Sequence, residues 1–214
     1  MRMPKSRLAV IEGKWGKNTN VSVKALFDVL SDINFDTPHA YAYEMFCDAA
    51  SLDNIISRMG ANKSIKYLYI GAHGENDAIS APGGKIKRTK LKNSLLKLRE
   101  GSMEGLFLGS CLFGSAANMR HILCPPLGAN PPVKWVAGYT EKIDWVQSSV
   151  LDLLFWKLIF ENPAAPTIQI ERVAERLRDL VPGLVTELGF CIYVRSTASK
   201  GVRNLLVHLA KPKK

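Results

Sequence analysis

The sequence predicts an α/β protein in which an open, mainly parallel sheet of six strands is covered by helices on both faces. Short apolar runs that are typical of buried strands alternate along the chain with amphipathic stretches of helical periodicity, and the connections are short. A length of 214 residues suits one domain. We therefore expect a single domain over 1–214, in which 200–214 is either a basic tail or an extra edge strand.

Three strands and two helices are predicted in the first third of the chain. The strands cover 8–11, 40–46 and 65–70. Apolar residues recur at helical spacing over 23–33, and Asn20 is placed to cap that helix. A second helix is predicted over 52–59, with Ser51 as its N-cap and Gly60 at its end.

The remainder of the chain supplies a hairpin, four helices and three strands. A Pro82-Gly83-Gly84 turn predicts the hairpin over 78–87. Thr89 is placed to cap a helix that runs to Leu98. The other helices are predicted at about 115–123, 144–160 and 168–181. Pro182 is expected to stop the last of them. The remaining strands are predicted at 106–108, 133–139 and 190–194.

The chain is basic, with a net charge of +10. Seven of its lysines and arginines fall within 85–99, and three lysines lie in the C-terminal tail. Such a balance allows a nucleic-acid partner. However, no aromatic residues interleave with the basic run, and no nucleic-acid-binding motif accompanies it. A solvated helix face is therefore the favoured interpretation of 85–99, and nucleic-acid binding is kept as an alternative.

Cysteine usage and hydropathy indicate the compartment. The four cysteines form no CxxC pair and have no histidine at zinc-finger spacing, so we expect free thiols, no metal and no cofactor. The apolar run near the N-terminus is too short for a signal-peptide core. The most apolar stretch, 146–160, contains Asp152 and Lys157 and is shorter than a membrane span. A cytoplasmic protein with no membrane partner is predicted.

Two reactive side chains follow neighbouring strands of the predicted sheet. His73 comes after the strand at 65–70, and Cys111 after the strand at 106–108, each beside small residues that let a substrate backbone approach. An imidazole near a thiol supports its thiolate form. The backbone N–H of Cys111, together with that of Gly74, is placed to stabilise an oxyanion. The sequence therefore predicts a Cys–His catalytic pair.

Taken singly, each of these residues has a plainer explanation. A lone cysteine after a strand is usually a small core hydrophobe, and a lone histidine is usually a loop residue with one hydrogen bond. The paired placement at Gly-rich strand ends favours a site. The other combinations are weaker, because Cys124 and His121 belong to a helix end, and because Cys47 and Cys191 lie in strands or at their edges.

The segments Tyr67-Leu68-Tyr69-Ile70-Gly71-Ala72-His73-Gly74 and Gly105-Leu106-Phe107-Leu108-Gly109-Ser110-Cys111 resemble the two catalytic motifs of caspase-like (clan CD) cysteine peptidases. That group includes caspases, metacaspases, gingipain, separase and bacterial CHAT-domain peptidases, and the small bacterial members are the most similar in organisation. The resemblance covers roughly 5–195.

The resemblance implies a caspase-like fold and a dyad in which Cys111 attacks a peptide carbonyl while His73 acts as general acid and base. Gly109 stands where metacaspases carry an acid, so the specificity pocket must be built from other residues. Relatives line that pocket after the fifth strand, which here points to Tyr139, Glu141 and Asp144. An acid there favours a basic side chain before the scissile bond.

The predicted function is thus a cysteine endopeptidase that cleaves a protein or peptide partner, by analogy in bacterial defence or regulated cell death. It is either constitutively active or activated by a partner protein. Three alternatives stay open. They are a catalytically silent interaction module of the same fold, a basic nucleic-acid-associated protein, and a thiol hydrolase of non-peptide substrates.

Overall fold

The computed structural model describes residues 7–15, 21–126, 129–196 and 201–207. Its strands are β1 Leu8–Gly13, β2 Ala42–Phe46, β3 Tyr67–Gly71, β4 Ala78–Ala81, β5 Gly84–Lys87, β6 Gly105–Gly109, β7 Trp135–Tyr139, β8 Phe190–Arg195 and β9 Val202–Asn204. Its helices are α1 Lys24–Phe35, α2 Ala49–Ala61, α3 Arg88–Leu95, α4 Ala116–Leu123, α5 Trp145–Glu161, α6 Pro166–Leu180 and α7 Pro182–Glu187.

The central sheet is mostly parallel, as predicted, but it has seven strands within the described residues rather than six. Its order is β2-β1-β3-β6-β7-β8-β9, with β4 and β5 forming a separate hairpin. The first five strands in this order pair in parallel, and β8 and β9 are antiparallel. The added strand, β9, is the edge strand that was one of two alternatives for 200–214. It has only three residues, too few for a periodic signal.

Helices cover both faces of the sheet, which confirms the predicted layering. Strands β1, β3, β6 and β7 are buried along their whole length, because each is covered above and below. One core contains side chains of α1, α5, α6 and α7, and the other contains side chains of α2, α3 and α4. Alternate residues of a strand enter opposite cores, so Val10 lies in the first and Ile11 in the second.

Several helix ends differ from the prediction. Asp48, not Ser51, is the N-cap of α2, and Ser51 completes a reciprocal capping box from the third helical position. The Thr89 hydroxyl caps nothing, because α3 already begins at Arg88. Asn20, the predicted cap of α1, lies outside the described residues. Pro182 ends α6 but also begins α7, since proline is tolerated at the first position of a helix.

The topology brings three strand ends to one crevice. The chain leaves β1 for β2 on one side, then crosses back to β3 on the other, so the strand order reverses at β1 and β3. Ligands of open α/β sheets bind outside the carboxyl ends of strands at such a switch point. In the register of the sheet, Glu12 pairs with Gly71, and Gly71 pairs with Gly109. Residues just after these positions therefore share one edge of the sheet.

Candidate active site

His73 lies in a loop whose backbone is hydrogen-bonded to the β4–β5 hairpin. The His73 carbonyl accepts a hydrogen bond from the Ser80 amide at 2.8 Å, and the Glu75 amide donates to the Ala78 carbonyl at 2.8 Å. The backbone of this loop is therefore paired with the hairpin, while the His73 side chain stays exposed. The hairpin thus fixes the point from which the imidazole projects.

The His73 imidazole has a defined hydrogen-bond partner. Its Nε2 atom lies 2.6 Å from the carbonyl oxygen of Trp15, just beyond β1. A carbonyl can only accept, so Nε2 must carry the proton and, in the neutral ring, Nδ1 is left unprotonated. The Trp15 indole also packs edge-on against the imidazole, with ring centroids 5.2 Å apart. These contacts orient the ring with a free basic nitrogen.

Cys111 begins a tight turn between β6 and α4. The next residue, Leu112, has a φ of 60°, a left-handed conformation that is unusual for a bulky side chain. The Leu112 amide donates to the Glu141 carbonyl at 3.2 Å, and the Gly114 amide donates to the Tyr139 carbonyl at 2.7 Å. The end of β7 therefore holds this strained turn in place. Strain of this kind costs of order 1–3 kcal/mol and is concentrated at functional sites.

The backbones of the two loops touch at Gly74 and Cys111. A Cβ atom at position 74 would lie 2.0 Å from the Cys111 carbonyl oxygen and 2.9 Å from its nitrogen, so only glycine fits. The part of the chain that the structure describes offers no acceptor to the N–H of either residue. Two unpaired amides beside a half-buried thiol form a candidate oxyanion site.

Within the described residues, no hydrogen bond joins the His73 imidazole to the Cys111 thiol; the imidazole bonds to Trp15 instead. Both side chains nevertheless line the same cleft. Hydrogen bonds of catalytic groups are often long in unliganded enzymes and tighten only when substrate binds. The pair therefore faces a shared space in which a substrate carbonyl can sit between them.

Asn118, on α4, connects the two loops from inside the protein. Its side-chain amide donates to the Asn76 carbonyl at 2.7 Å and to the Phe113 carbonyl at 2.9 Å. Its oxygen accepts from Arg88 at 3.1 Å. The side chain is fully buried, so these bonds are not exchanged for water. Asn118 thereby holds the segment after His73 against the segment after Cys111.

The cleft beside the pair is lined mainly by apolar surface. It is open to solvent at its mouth. Its apolar lining includes Trp15, Val23, Ile143 and Trp145. The two indoles meet edge-to-face at 5.0 Å. An acid, Asp152, contributes to the same lining.

Asp152 projects from α5 and is only 3% exposed. Its Oδ2 atom accepts a hydrogen bond from the Tyr69 hydroxyl at 2.9 Å, and Oδ1 accepts one from the Tyr139 hydroxyl at 2.5 Å. Burial raises the pKa of Asp152 to about 7, against the opposing effect of these two donors. The pKa values of both tyrosines are themselves raised well above the ordinary value, first by burial and then by the neighbouring carboxylate.

Glu12, at the end of β1, is a second buried acid near the cleft. It accepts from the Trp15 indole, from the Ser22 hydroxyl at 2.6 Å, from the Val23 amide at 2.8 Å and from the Tyr43 hydroxyl at 2.5 Å. Its carboxylate is thus fully occupied by donors. Glu12 fixes the backbone turn whose carbonyl orients His73.

The predicted pocket residues lie elsewhere. Tyr139 is fully buried beneath the cleft, where its hydroxyl contacts Asp152. Glu141 is exposed, and only its carbonyl supports the cysteine turn. The Asp144 carboxylate caps α5 by accepting from the amides of Val146 and Gln147, each at 2.9 Å. The lining of the cleft includes none of the three.

The sequence predicted His73, Cys111 and Gly74 for the candidate site, but it did not single out Trp15, Asn118 or Asp152, which lie in or around it. The signal for Asp152 was present, because an acid interrupts the most apolar helix of the chain. Nothing local marks the Trp15 carbonyl or the Asn118 amide as functional, since both act through contacts between distant segments.

The basic segment 85–99 is partly engaged in contacts within the protein. Lys85 forms an ion pair with Glu75, Lys97 pairs with Asp53, and Arg88 donates to Asn118. The exposed pairs contribute little stability, but they reduce the free positive charge of this face.

No protein-family model matches this chain, and no curated protein matches it. Among the described residues, no group of three or more histidine, cysteine, aspartate or glutamate side chains is arranged to hold a metal ion. No helix in the described ranges has both the length and the apolar character needed to cross a bilayer.

Proposed function

We propose that this chain is a cysteine endopeptidase of the caspase-like fold, with Cys111 as nucleophile and His73 as general acid and base. The observation that carries the proposal is the close contact between the Gly74 and Cys111 backbones, whose amides both lack an acceptor in the described chain. A protein or peptide, met in the cytoplasm, is the proposed substrate.

The geometry supports an ordered sequence of steps. The Cys111 thiol gives its proton to Nδ1 of His73 as the sulfur bonds to the substrate carbonyl carbon. The carbonyl oxygen becomes negatively charged and accepts hydrogen bonds from the Gly74 and Cys111 amides. His73 then protonates the departing amine, which leaves a thioester. Water, deprotonated by His73, hydrolyses that thioester and restores the thiol.

The carbonyl of Trp15 has a specific part in this scheme. It accepts the Nε2 proton of His73 at 2.6 Å, so the ring presents Nδ1 to the thiol in one tautomer. When the ring becomes an imidazolium, the same carbonyl stabilises the positive charge.

The first experiment measures alkylation of each cysteine by iodoacetamide across pH, with peptide mapping, in the wild-type protein and in His73→Ala. We expect Cys111 to react fastest at pH values below the ordinary thiol pKa of about 8.5, and to slow by roughly tenfold or more in His73→Ala. Cys47, which is exposed, is the internal control and should react equally in both proteins.

If Cys111 reacts no faster than Cys47, or if His73→Ala leaves its rate unchanged, the dyad is refuted and the chain is better explained as an interaction module. If the dyad stands, a panel of peptide and non-peptide substrates separates a peptidase from a thiol hydrolase of other substrates. Binding of nucleic acid that weakens steeply with salt would support the remaining alternative.

A further inference from the structure

The fold divides the basic run 85–99 into two groups of side chains. Lys85 and Lys97 form ion pairs with acids of other elements. Arg88 and Lys92 are directed towards α4 instead, and neither takes part in an ion pair among the described residues. The sequence does not separate the two groups, because it does not show which helix lies beside which.

Helix α4 brings further donors to the same surface. α3 and α4 pack side by side, and His121 lies near both Arg88 and Lys92. The Nε2 atom of His121 is 3.4 Å from the Thr89 hydroxyl. Arg120 precedes His121, is exposed, and has no ion-pair partner in the described chain either. We call this surface the α3–α4 face, and its members are Arg88, Thr89, Lys92, Arg120 and His121.

The positive charges of the α3–α4 face are not compensated by a neighbouring acid. Burial lowers the pKa of His121, and the charges of Lys92 and Arg88 lower it further. No carboxylate of the described residues opposes these effects at His121. Like charges that are placed together repel one another. An anion that binds between them therefore stabilises the folded protein.

Arg88 is held in position before any ligand binds. Its Nη1 atom donates to the side-chain oxygen of Asn118 at 3.1 Å, and Asn118 is fully buried. A guanidinium has five N–H donors, and this hydrogen bond uses one of them on a side chain that stays partly exposed. Guanidinium groups bind phosphate through two parallel hydrogen bonds. A phosphate at this face thus meets a pre-organised donor, which lowers the cost of binding.

The composition of the α3–α4 face indicates which carrier of phosphate it suits. Proteins that bind single strands stack the bases on aromatic side chains, and neither 85–99 nor α4 contains phenylalanine, tyrosine or tryptophan. The backbone of a duplex is bound by arginine, lysine and hydroxyl donors without contact to the bases. The net charge of +10 favours association with such a polyanion.

We propose that the α3–α4 face binds the phosphate backbone of double-stranded nucleic acid, without preference for sequence. Arg88 and Lys92 contact phosphates from α3, and Arg120 and His121 contact them from α4. This binding is additional to the proposed peptidase activity and does not depend on it.

Fluorescence anisotropy of a labelled DNA duplex of about 20 base pairs, titrated with the full chain at several salt concentrations, measures the binding. Lys92→Gln combined with Arg120→Gln should raise the Kd roughly tenfold and lower the slope of log Kd against log salt concentration by about two. Lys85→Gln combined with Lys97→Gln is the matched control, because it removes the same charge from lysines that are ion-paired. The control should change the Kd by less than about twofold.

Two competitors test the nature of the partner. Poly-L-glutamate with the same number of charges should displace the duplex poorly, because the duplex has a higher linear charge density and releases more counterions. Equal competition by poly-L-glutamate would overturn the proposal in favour of an acidic protein partner. Tighter binding of a single strand of the same length would overturn the assignment to a duplex.

Two further results would also overturn the proposal. One is the absence of salt-sensitive duplex binding by the wild-type protein at low salt. The other is an equal loss of affinity in the two double variants, which would show that only net charge matters. Urea unfolding of each variant establishes that it is folded.

Alkylation of Cys111 is measured separately, so failure of either proposal leaves the other standing. Duplex binding at the α3–α4 face by a protein whose Cys111 is inert would favour the nucleic-acid-associated alternative for the whole chain.

Discussion

Replacement of Asp152 by asparagine should change how the stability of the protein depends on pH. Asparagine has nearly the same shape, and its side-chain oxygen can still accept from Tyr69. Its amide can donate to the Tyr139 oxygen, whose proton has a second acceptor in the Ser148 carbonyl at 3.4 Å. The variant is therefore expected to keep the fold while losing the titrating group.

The size of the effect follows from the pKa of Asp152. Burial raises it from 3.8 to about 7, so the folded protein holds this proton more tightly than the unfolded chain does. The stability that the protonated acid contributes is complete below pH 3.8 and is lost as the pH rises through about 7. The total loss is about 4 kcal/mol. The free energy of unfolding of Asp152→Asn should therefore rise relative to wild type by up to that amount between pH 4 and pH 8.

Urea unfolding followed by tryptophan fluorescence at several pH values measures this difference. Subtracting the wild-type curve from the variant curve removes the contribution of groups that titrate alike in both proteins. Glu161→Gln is a matched control, because Glu161 lies on the same helix and is exposed. Its difference curve should vary by well under about 1 kcal/mol over the same range.

A difference curve for Asp152→Asn that stays flat with pH would refute the reasoning, since it would mean that the carboxyl titrates alike in the folded and unfolded chains. A curve of opposite slope would show that the ionised carboxylate is stabilised by a cation within the protein.

Two further substitutions test how the loops are held together. Gly74→Ala should lower the free energy of unfolding by about 1–3 kcal/mol and slow alkylation of Cys111, because the added Cβ would lie 2.0 Å from the Cys111 carbonyl oxygen. Gly183→Ala is the control and should have neither effect, because a Cβ there has no neighbour within 4 Å. Asn118→Ala should lower the free energy of unfolding by about 1–3 kcal/mol, because it leaves buried hydrogen-bond partners unsatisfied. It should also slow alkylation of Cys111. Asn93→Ala, at an exposed position, should have neither effect.

Urea unfolding and peptide mapping of alkylated protein measure both effects. If Gly74→Ala alkylates at the wild-type rate, the contact between the two loops does not shape the site. A stability loss in Asn118→Ala with unchanged Cys111 reactivity would assign Asn118 to folding alone.

Much of this architecture could be predicted because buried parallel strands read as continuous apolar runs. The runs at 65–70 and 106–108 fall within one or two residues of β3 and β6. The ends of these runs placed His73 and Cys111 near each other before the tertiary structure was known. This follows because neighbouring parallel strands have their carboxyl ends at the same edge of the sheet. The prediction depended on periodicity and chain direction alone.

The features that were missed depend on which segments meet. The predicted N-cap of α2, Ser51, lies three residues after the N-cap in the structure, Asp48. Both residue types are good caps, and here the two act together. Asp144 was assigned to a pocket, yet its spacing before α5 equally suits an N-cap. Asp152, the acid that lines the cleft, lies two turns further along, and only the packing of α5 against β3 and β7 shows that it faces Tyr69 and Tyr139.

The candidate oxyanion site consists of main-chain amides, which has a consequence for how such a protein can diverge. Point mutations replace side chains and leave amide groups in place, so few substitutions other than those at Gly74 act on this part of the site directly. The side chains that line the cleft, in contrast, are each open to replacement by point mutation. Descendants of this chain can therefore alter what the cleft binds while inheriting the same main-chain amides.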